Sequence, residues 1–252
     1  MSAPPADGAA TRPGTLYLIP VDLGGDDPRT ALPPSTLVVL SGLRRFVVEN
    51  AKSARRFLKS AGYPHPLREA AMATLDEHTA AAELPALLAP LLAGEDCGLL
   101  SEAGCPAVAD PGAGLVRLAH ARGVRVAPLI GPSAVLLALM ASGLNGQRFE
   151  FHGYLPVAAG ERARRLRALE DAAAHATQVF IETPYRNGAI LEAVLEHCRG
   201  ETLLCVAADL TLPSETIETR PVAEWKKKRP ALDRRPAVFL LGSAGAATGK
   251  SG

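Results

Sequence analysis

The sequence predicts an α/β fold, and three observations predict it. Apolar runs of strand length alternate with stretches of helical apolar spacing, the pattern of βαβ units around a parallel sheet. The alternation breaks at Gly131-Pro132-Ser133 and then resumes, so two α/β units follow one another. A small-residue loop carrying a carboxylate, residues 101–112 (SEAGCPAVADPG), lies where an apolar strand ends and a helix begins. In open α/β sheets, ligands bind outside the carboxyl ends of the strands.

Residues 15–21 (TLYLIPV) form the first strand, and Gly24-Gly25 a turn after it. Residues 35–43 read as a short apolar helix, 45–49 (RFVVE) as the second strand, and 51–60 (AKSARRFLKS) as a helix with a basic face. A strand is expected over 68–75. Thr79 reads as the N-cap of a helix over 80–93, which Pro85 and Pro90 shorten or kink. Residues 97–100 (CGLL) are a buried strand, 114–122 (GLVRLAHAR) a helix and 124–129 a strand. Beyond the break, Ser133 caps residues 134–142 (AVLLALMAS), a helix apolar enough to be expected between layers. Strands at 149–155 and 178–182 flank a charged helix at 160–175. A helix at 186–199 and strands at 202–208, 216–220 and 237–242 complete the unit. The expected division is a disordered tail over 1–13, α/β domains over 14–131 and 132–242, and a disordered tail over 243–252.

Composition narrows the function classes. A chain of 252 residues with 48 % hydrophobic content supports a sizeable core and a two-domain layout. A formal net charge of +1 offers no overall field to draw nucleic acid or membrane, though it permits a local basic patch. Cys97, Cys198 and Cys205 fall in apolar segments and no C-x-x-C pair occurs, so neither a zinc site nor a disulfide framework is expected. No metal-ligand spacing emerges. No apolar run approaches a membrane span, and the amino terminus has no apolar core of signal-peptide length. A soluble cytoplasmic protein is therefore expected. Gly249-Lys250-Ser251 is similar to the end of a phosphate-binding P-loop, but Ala244 stands where that motif needs its first glycine.

Six short pieces stand in order along the chain: residues 14–20 (GTLYLIP), 101–106 (SEAGCP) with the Asp110-Pro111-Gly112 that follows, 131–134 (GPSA), 151–156 (FHGYLP), 182–186 (ETPYR) and 208–211 (ADLT). By these pieces the chain resembles the tetrapyrrole-methylase superfamily of S-adenosylmethionine (SAM) methyltransferases. It most resembles the RsmI-type family, which 2′-O-methylates a cytidine of small-subunit ribosomal RNA. The first piece resembles that family's opening strand, and the others its S-D-A-G-T-P loop with D-P-G, G-P-S-A, F-x-G-F-L-P, E-S-P-H-R and R-E-L-T. The family's P-T-P-I-G-N reads Pro20-Val21-Asp22-Leu23-Gly24-Gly25, and its E-D-T-R reads Glu49-Asn50-Ala51-Lys52.

The resemblance implies SAM in a cleft between the two domains. It places there Pro20 and Leu23; Ser101, Glu102, Ala103, Cys105 and Pro106; Ser133 and Ala134; and Glu182, Thr183 and Leu210. It also implies a homodimer. A ribose hydroxyl is a poor nucleophile near neutral pH, so a general base or an orienting group is needed. Glu49, Lys52 and Arg186 are the polar candidates on the relevant loops. Several residues keep two readings. Asp110 is a ligand carboxylate or a helix N-cap, and Ser133 a cap or a ligand contact. Lys52, Arg55 and Arg56 hold RNA phosphates or form a solvated face, and Trp225 beside Lys226–Arg229 is a stacking platform or a plain edge. His152 reads as a hydrogen-bonded core histidine. The acceptor is ribosomal RNA or, alternatively, a tetrapyrrole or other small molecule; a non-catalytic RNA-binding module is the reading from another class.

Overall fold

The computed structural model describes residues 12–243; residues 1–11 and 244–252 of the expected tails, with the Gly249-Lys250-Ser251 stretch, lie outside them. The described residues divide into two compact units, one up to Pro132 and one from Ser133.

The first unit holds β1 (Thr15–Ile19), α1 (Pro34–Gly42), β2 (Arg45–Val48), α2 (Ala51–Ser60), β3 (Ala71–Thr74), α3 (Leu84–Leu92), β4 (Cys97–Leu100), α4 (Ala113–Ala121) and β5 (Arg125–Pro128). Its sheet has the order β3-β2-β4-β1-β5 and every pairing is parallel. Parallel strands are covered on both faces, which is why inner strands read as unbroken apolar runs. All four residues of β4 are buried, whereas β3 and β5, at the edges, are half exposed. β5 ends on Pro128, a position an edge tolerates. Alternate side chains feed two cores. Ile19, Phe46 and Val48 pack with Leu40, Phe57 and Leu58 of α1 and α2. Leu16, Val47 and Leu99 pack with Leu88, Leu91, Leu115 and Ala119 of α3 and α4. The chain leaves β1 toward β2 on one side and leaves its neighbour β4 toward β5 on the other. The helices that follow β1 and β4 therefore lie on opposite faces of the sheet, which makes this a topological switch point.

The second unit holds α5 (Ala134–Ser142), β6 (Phe149–Tyr154), α6 (Ala159–Ala172), β7 (Thr177–Ile181), α7 (Asn187–His197), β8 (Leu203–Ala208), β9 (Thr216–Pro221), α8 (Val222–Trp225) and β10 (Ala237–Gly242). Its order is β6-β7-β10-β8-β9. Only β6 and β7 pair in parallel; β10 runs antiparallel to β7 and β8, and β8 to β9. The short connection from β8 to β9 enforces this, since only antiparallel neighbours can be joined without a crossover. Phe180 and Phe239 stack at the centre with ring centroids 5.6 Å apart.

Four local expectations are corrected. Thr79 caps no helix: its hydroxyl bonds the Asp76 carboxylate, and Ala81–Glu83 form a 3₁₀ turn before α3. Asp110 is not an N-cap; Gly112, at φ 137°, occupies that position without a side-chain bond. α5 is capped by Ser133 as expected but is not enclosed, for Leu136 and Met140 are 51 % and 80 % exposed. Trp225 offers no stacking platform, since it is buried and its indole N–H donates to the Leu204 carbonyl at 2.9 Å. His152 is held as a core histidine is, with Nε2 2.7 Å from Gln178 Oε1 and Nδ1 2.8 Å from Arg165 Nη2.

Candidate functional site

The register Ile19↔Leu100 and Val48↔Leu100 brings Pro20, Glu49 and Ser101 together at the carboxyl end of the first sheet. There the loops after β1 and β4 are clipped together. Val21 N–H donates to the Gly104 carbonyl at 2.9 Å, and Gly104 N–H returns to Val21 at 3.0 Å. Gly104 sits at φ 71°, a conformation suited to glycine, and Leu23 lies over it. The loop after β5 closes from the other side. A Cβ on Gly131 would stand 2.3 Å from Pro20 Cβ, so only glycine permits this approach. Cys105 Sγ lies 3.5 Å from the Pro132 carbonyl, and Pro106 is buried. Ala107 and Ala109 are held at φ 66° and 62°, strain that the surrounding contacts must sustain.

Carboxylates crowd this end of the sheet. Burial pushes Glu49 above the ordinary carboxylate range, and repulsion from Asp110 and Glu102 adds to it; a bond from the Glu102 backbone N–H opposes the rise. Asp110 is raised in the same way, by burial first, against a bond from Ser101 and with repulsion from Glu102. The Ser101 hydroxyl also faces the Ala103 and Gly104 carbonyls at the long distances of 3.3 and 3.5 Å, and its single proton serves one acceptor at a time. Ser53 donates to Glu102 at 2.9 Å, tying α2 to the loop after β4.

Beside the clipped loops lies a cavity of about 420 Å³. It runs between the loop after β1, α2 and the start of the loop after β4. Leu23, Ser101, Glu102 and Ala103 line it, as do Asp22, Ser53 and Arg56; Glu49, Lys52, Pro20, Cys105 and Pro106 do not. Lys52, Arg55, Arg56 and Lys59 stand at i, i+3, i+4 and i+7 of α2, so they share one exposed face. Among the described residues none of the four is ion-paired. Asn50 caps this helix, accepting from Lys52 N–H at 2.8 Å.

In the second unit, Glu182 follows β7 and Leu210 lies just beyond the end of β8; these two strand ends flank the start of β10. The Glu182 side chain is wholly buried. Its Oε1 accepts the Thr183 N–H at 2.8 Å and its Oε2 lies 2.9 Å from Arg186 Nη2. That last contact is off the line of a hydrogen bond, so Oε2 keeps an unused acceptor. Ser133 accepts from Leu136 N–H at 3.5 Å, and Ala134 opens α5. Asp209, at φ 53°, accepts from Arg235 at 2.7 Å and Ser214 at 2.8 Å, which fixes the backbone on which Leu210 sits.

Sequence reasoning missed Asp22 and the interaction of Asp110 with Glu49. The signal for Asp22 was its departure from P-T-P-I-G-N. Nothing local signals the approach of positions 49 and 110. Among the described residues no group of His, Cys, Asp and Glu could hold a metal ion, and no helix is long and apolar enough to cross a membrane.

The family model described as Tetrapyrrole (Corrin/Porphyrin) Methylases matches residues 29–226. A protein of Pseudomonas aeruginosa named Ribosomal RNA small subunit methyltransferase I is 33 % identical over 231 residues, 90 % of this chain and 78 % of that one. The protein of the same name from Vibrio cholerae is 35 % identical over 211 residues, 83 % and 69 % of the two chains. Among solved structures, the methyltransferase CobJ superposes with a TM-score of 0.61 at 20 % identity, over 94 % of this chain and 96 % of that one. A diphthine synthase superposes at 0.64 and 15 %, over 91 % and 90 %. The two latter likenesses concern the fold, whereas the sequence relatives and the matched model concern descent: the chain belongs to the tetrapyrrole methylase family and is a methyltransferase, kin to the proteins named Ribosomal RNA small subunit methyltransferase I.

Proposed function

We propose that the protein transfers the methyl group of SAM to a ribose 2′-hydroxyl of small-subunit ribosomal RNA. The observation that carries this is the unpaired basic face of α2 at the rim of the cavity. RNA brings phosphates that such a face neutralises, with release of counterions. The names of the sequence relatives support the same acceptor. Ribosomal RNA as acceptor makes the protein cytoplasmic.

The residues fit SAM as the donor. The small-residue loop of Ser101, Glu102, Ala103, Cys105 and Pro106, with Pro20 and Leu23, leaves backbone open to a flat ligand. The buried, under-used Oε2 of Glu182 accepts from a hydroxyl or amine, with Thr183 and Leu210 beside it in the fold. The first turn of α5, at Ser133 and Ala134, offers backbone N–H groups to a carboxylate. SAM when bound supplies a methyl group already activated on a sulfonium. The chain has to align the acceptor and take its proton. Glu49 does the latter, because its raised pKa brings a carboxylate nearer to working pH. Lys52 steadies the acceptor's phosphate, and Arg186 positions Glu182.

The test is methyl transfer from labelled SAM to isolated small ribosomal subunits, with calorimetric titration of SAM alongside. The expected result is transfer to ribosomal RNA by the wild type. With Arg55→Glu and Lys59→Glu together, the KM for the subunit rises at least about ten-fold, its salt dependence becomes shallower, and SAM affinity is unchanged. Absence of transfer to RNA, with transfer to a tetrapyrrole instead, would overturn the reading.

A homodimer belongs to the same proposal. The apolar face of α5 exposed at Leu136 and Met140 suits burial against a second copy. Sedimentation at micromolar concentration is expected to give twice the 26.3 kDa chain mass; the monomer mass would refute it.

A further inference from the structure

The cavity on the first unit differs in charge from its rim. Its walls carry the carboxylates of Asp22, Asp26 and Glu102 against the one guanidinium of Arg56, and the rest of the basic face of α2 borders it. A phosphodiester is repelled by the walls and attracted by the rim. A nucleotide held by its phosphate on α2 therefore turns its base inward, not its backbone. The interior suits a base: Val21, Ala54, Phe57 and Leu100 supply apolar surface, and about 420 Å³ lies in the range of small-molecule pockets.

Two groups set which base is accepted. The Asp22 carboxylate is anchored by the Gly24 N–H at 3.0 Å and presents acceptors only. Arg56 lines the same cavity and presents donors only. An acceptor beside a donor fork matches a base edge with an exocyclic amine next to a ring acceptor, as in cytosine or adenine. Uracil turns a carbonyl oxygen to the position of the amine and meets the carboxylate with like polarity.

We propose that the Asp22 and Arg56 side of this cavity takes the base of the acceptor nucleotide, the Ser101–Ala103 loop being left to SAM, and that Asp22 with Arg56 selects a base bearing an exocyclic amine. The inference rests on the RNA reading above and deepens it. Position 22 is where the P-T-P-I-G-N pattern has proline, so this selection belongs to this chain rather than to the motif.

The experiment maps the methylated nucleotide with the wild type, then uses subunits assembled from transcripts carrying each of the four bases at that position. Wild type is expected to prefer cytidine or adenosine to uridine by about ten-fold or more. Asp22→Asn, whose amide offers both a donor and an acceptor, should bring that ratio to within about two-fold, while Asp22→Glu keeps the preference. SAM affinity by calorimetry should be the same in all three, which shows that the folded site persists. A wild type that methylates RNA without preference, or Asp22→Asn with the preference intact, would overturn the inference alone. A wild type that methylates no RNA would overturn the RNA reading and this inference with it.

Discussion

Glu49→Gln is expected to slow methyl transfer by about 10²–10⁴-fold, the usual contribution of a positioned general base, without changing SAM affinity. The same change is expected to stabilise the protein. Burial, Asp110 and Glu102 all raise the Glu49 pKa above its ordinary 4.5, so the folded chain holds this proton more tightly than the unfolded chain does. For a carboxylate raised in this way, the contribution to stability is full below the unfolded pKa. It is lost as pH rises through the folded value. Asp110 and Asp22 are raised as well, so three groups impose the same slope. Unfolding free energy should therefore fall from about pH 4 upward through the raised range, and Glu49→Gln should flatten that fall. Water around the half-exposed carboxylate keeps the gain small. The variant should also lose the acidic limb of the pH–rate profile. A variant with full activity, or one less stable at neutral pH, would remove Glu49 from the role of base.

Phe239→Ala has the largest expected effect on stability. Phe239 and Phe180 are both fully buried and stack nearly in parallel, with 7° between their planes, at the middle of the second sheet. Removing one ring loses its transfer free energy and leaves a cavity against the other, about 3–5 kcal/mol in all. That is a large part of the roughly 5–15 kcal/mol that holds a typical domain. Urea unfolding followed by far-UV circular dichroism measures it. A loss below about 1 kcal/mol would mean that the neighbours collapse into the space.

The inner strands were legible because they are short apolar runs bounded by Gly, Pro or charge, unlike the edge strands β6 and β9 with their charged residues. Cys97–Leu100 and Ala237–Gly242 are the clearest, and both proved wholly buried. Strand direction was less legible. The alternation of the first unit led to a parallel sheet, but the same pattern covered the mixed sheet of the second, because β10 inserts between β7 and β8 from far along the chain. Thr79 failed as a cap through local competition: Asp76, three residues away, took its hydroxyl. The loop at Ser101–Pro106 was visible from its small residues and its carboxylate. The raised carboxylates were not, since Glu49, Glu102 and Asp110 meet only when β2 and β4 pair and the loop after β4 folds back. Trp225 looked like a surface aromatic because lysines follow it, yet the charge belongs to its neighbours and not to the ring.

The position of β1 bears on the order in which the chain is made. Among the described strands β1 emerges from the ribosome before the others, and both of its partners, β4 and β5, come late: Leu16 pairs with Cys97 and with Val126. At roughly 5–20 residues per second, β1 waits about 4–16 s before the first of them exists. Its apolar residues stay without a sheet through that interval, while β2 and β3, which pair with each other, are completed. The first unit thus places β1, an inner strand, only after β4 and β5 exist, although β1 is translated before either of them. A nascent chain stalled before residue 97 should remain open to protease at β1, and one stalled well past residue 128 should be protected there.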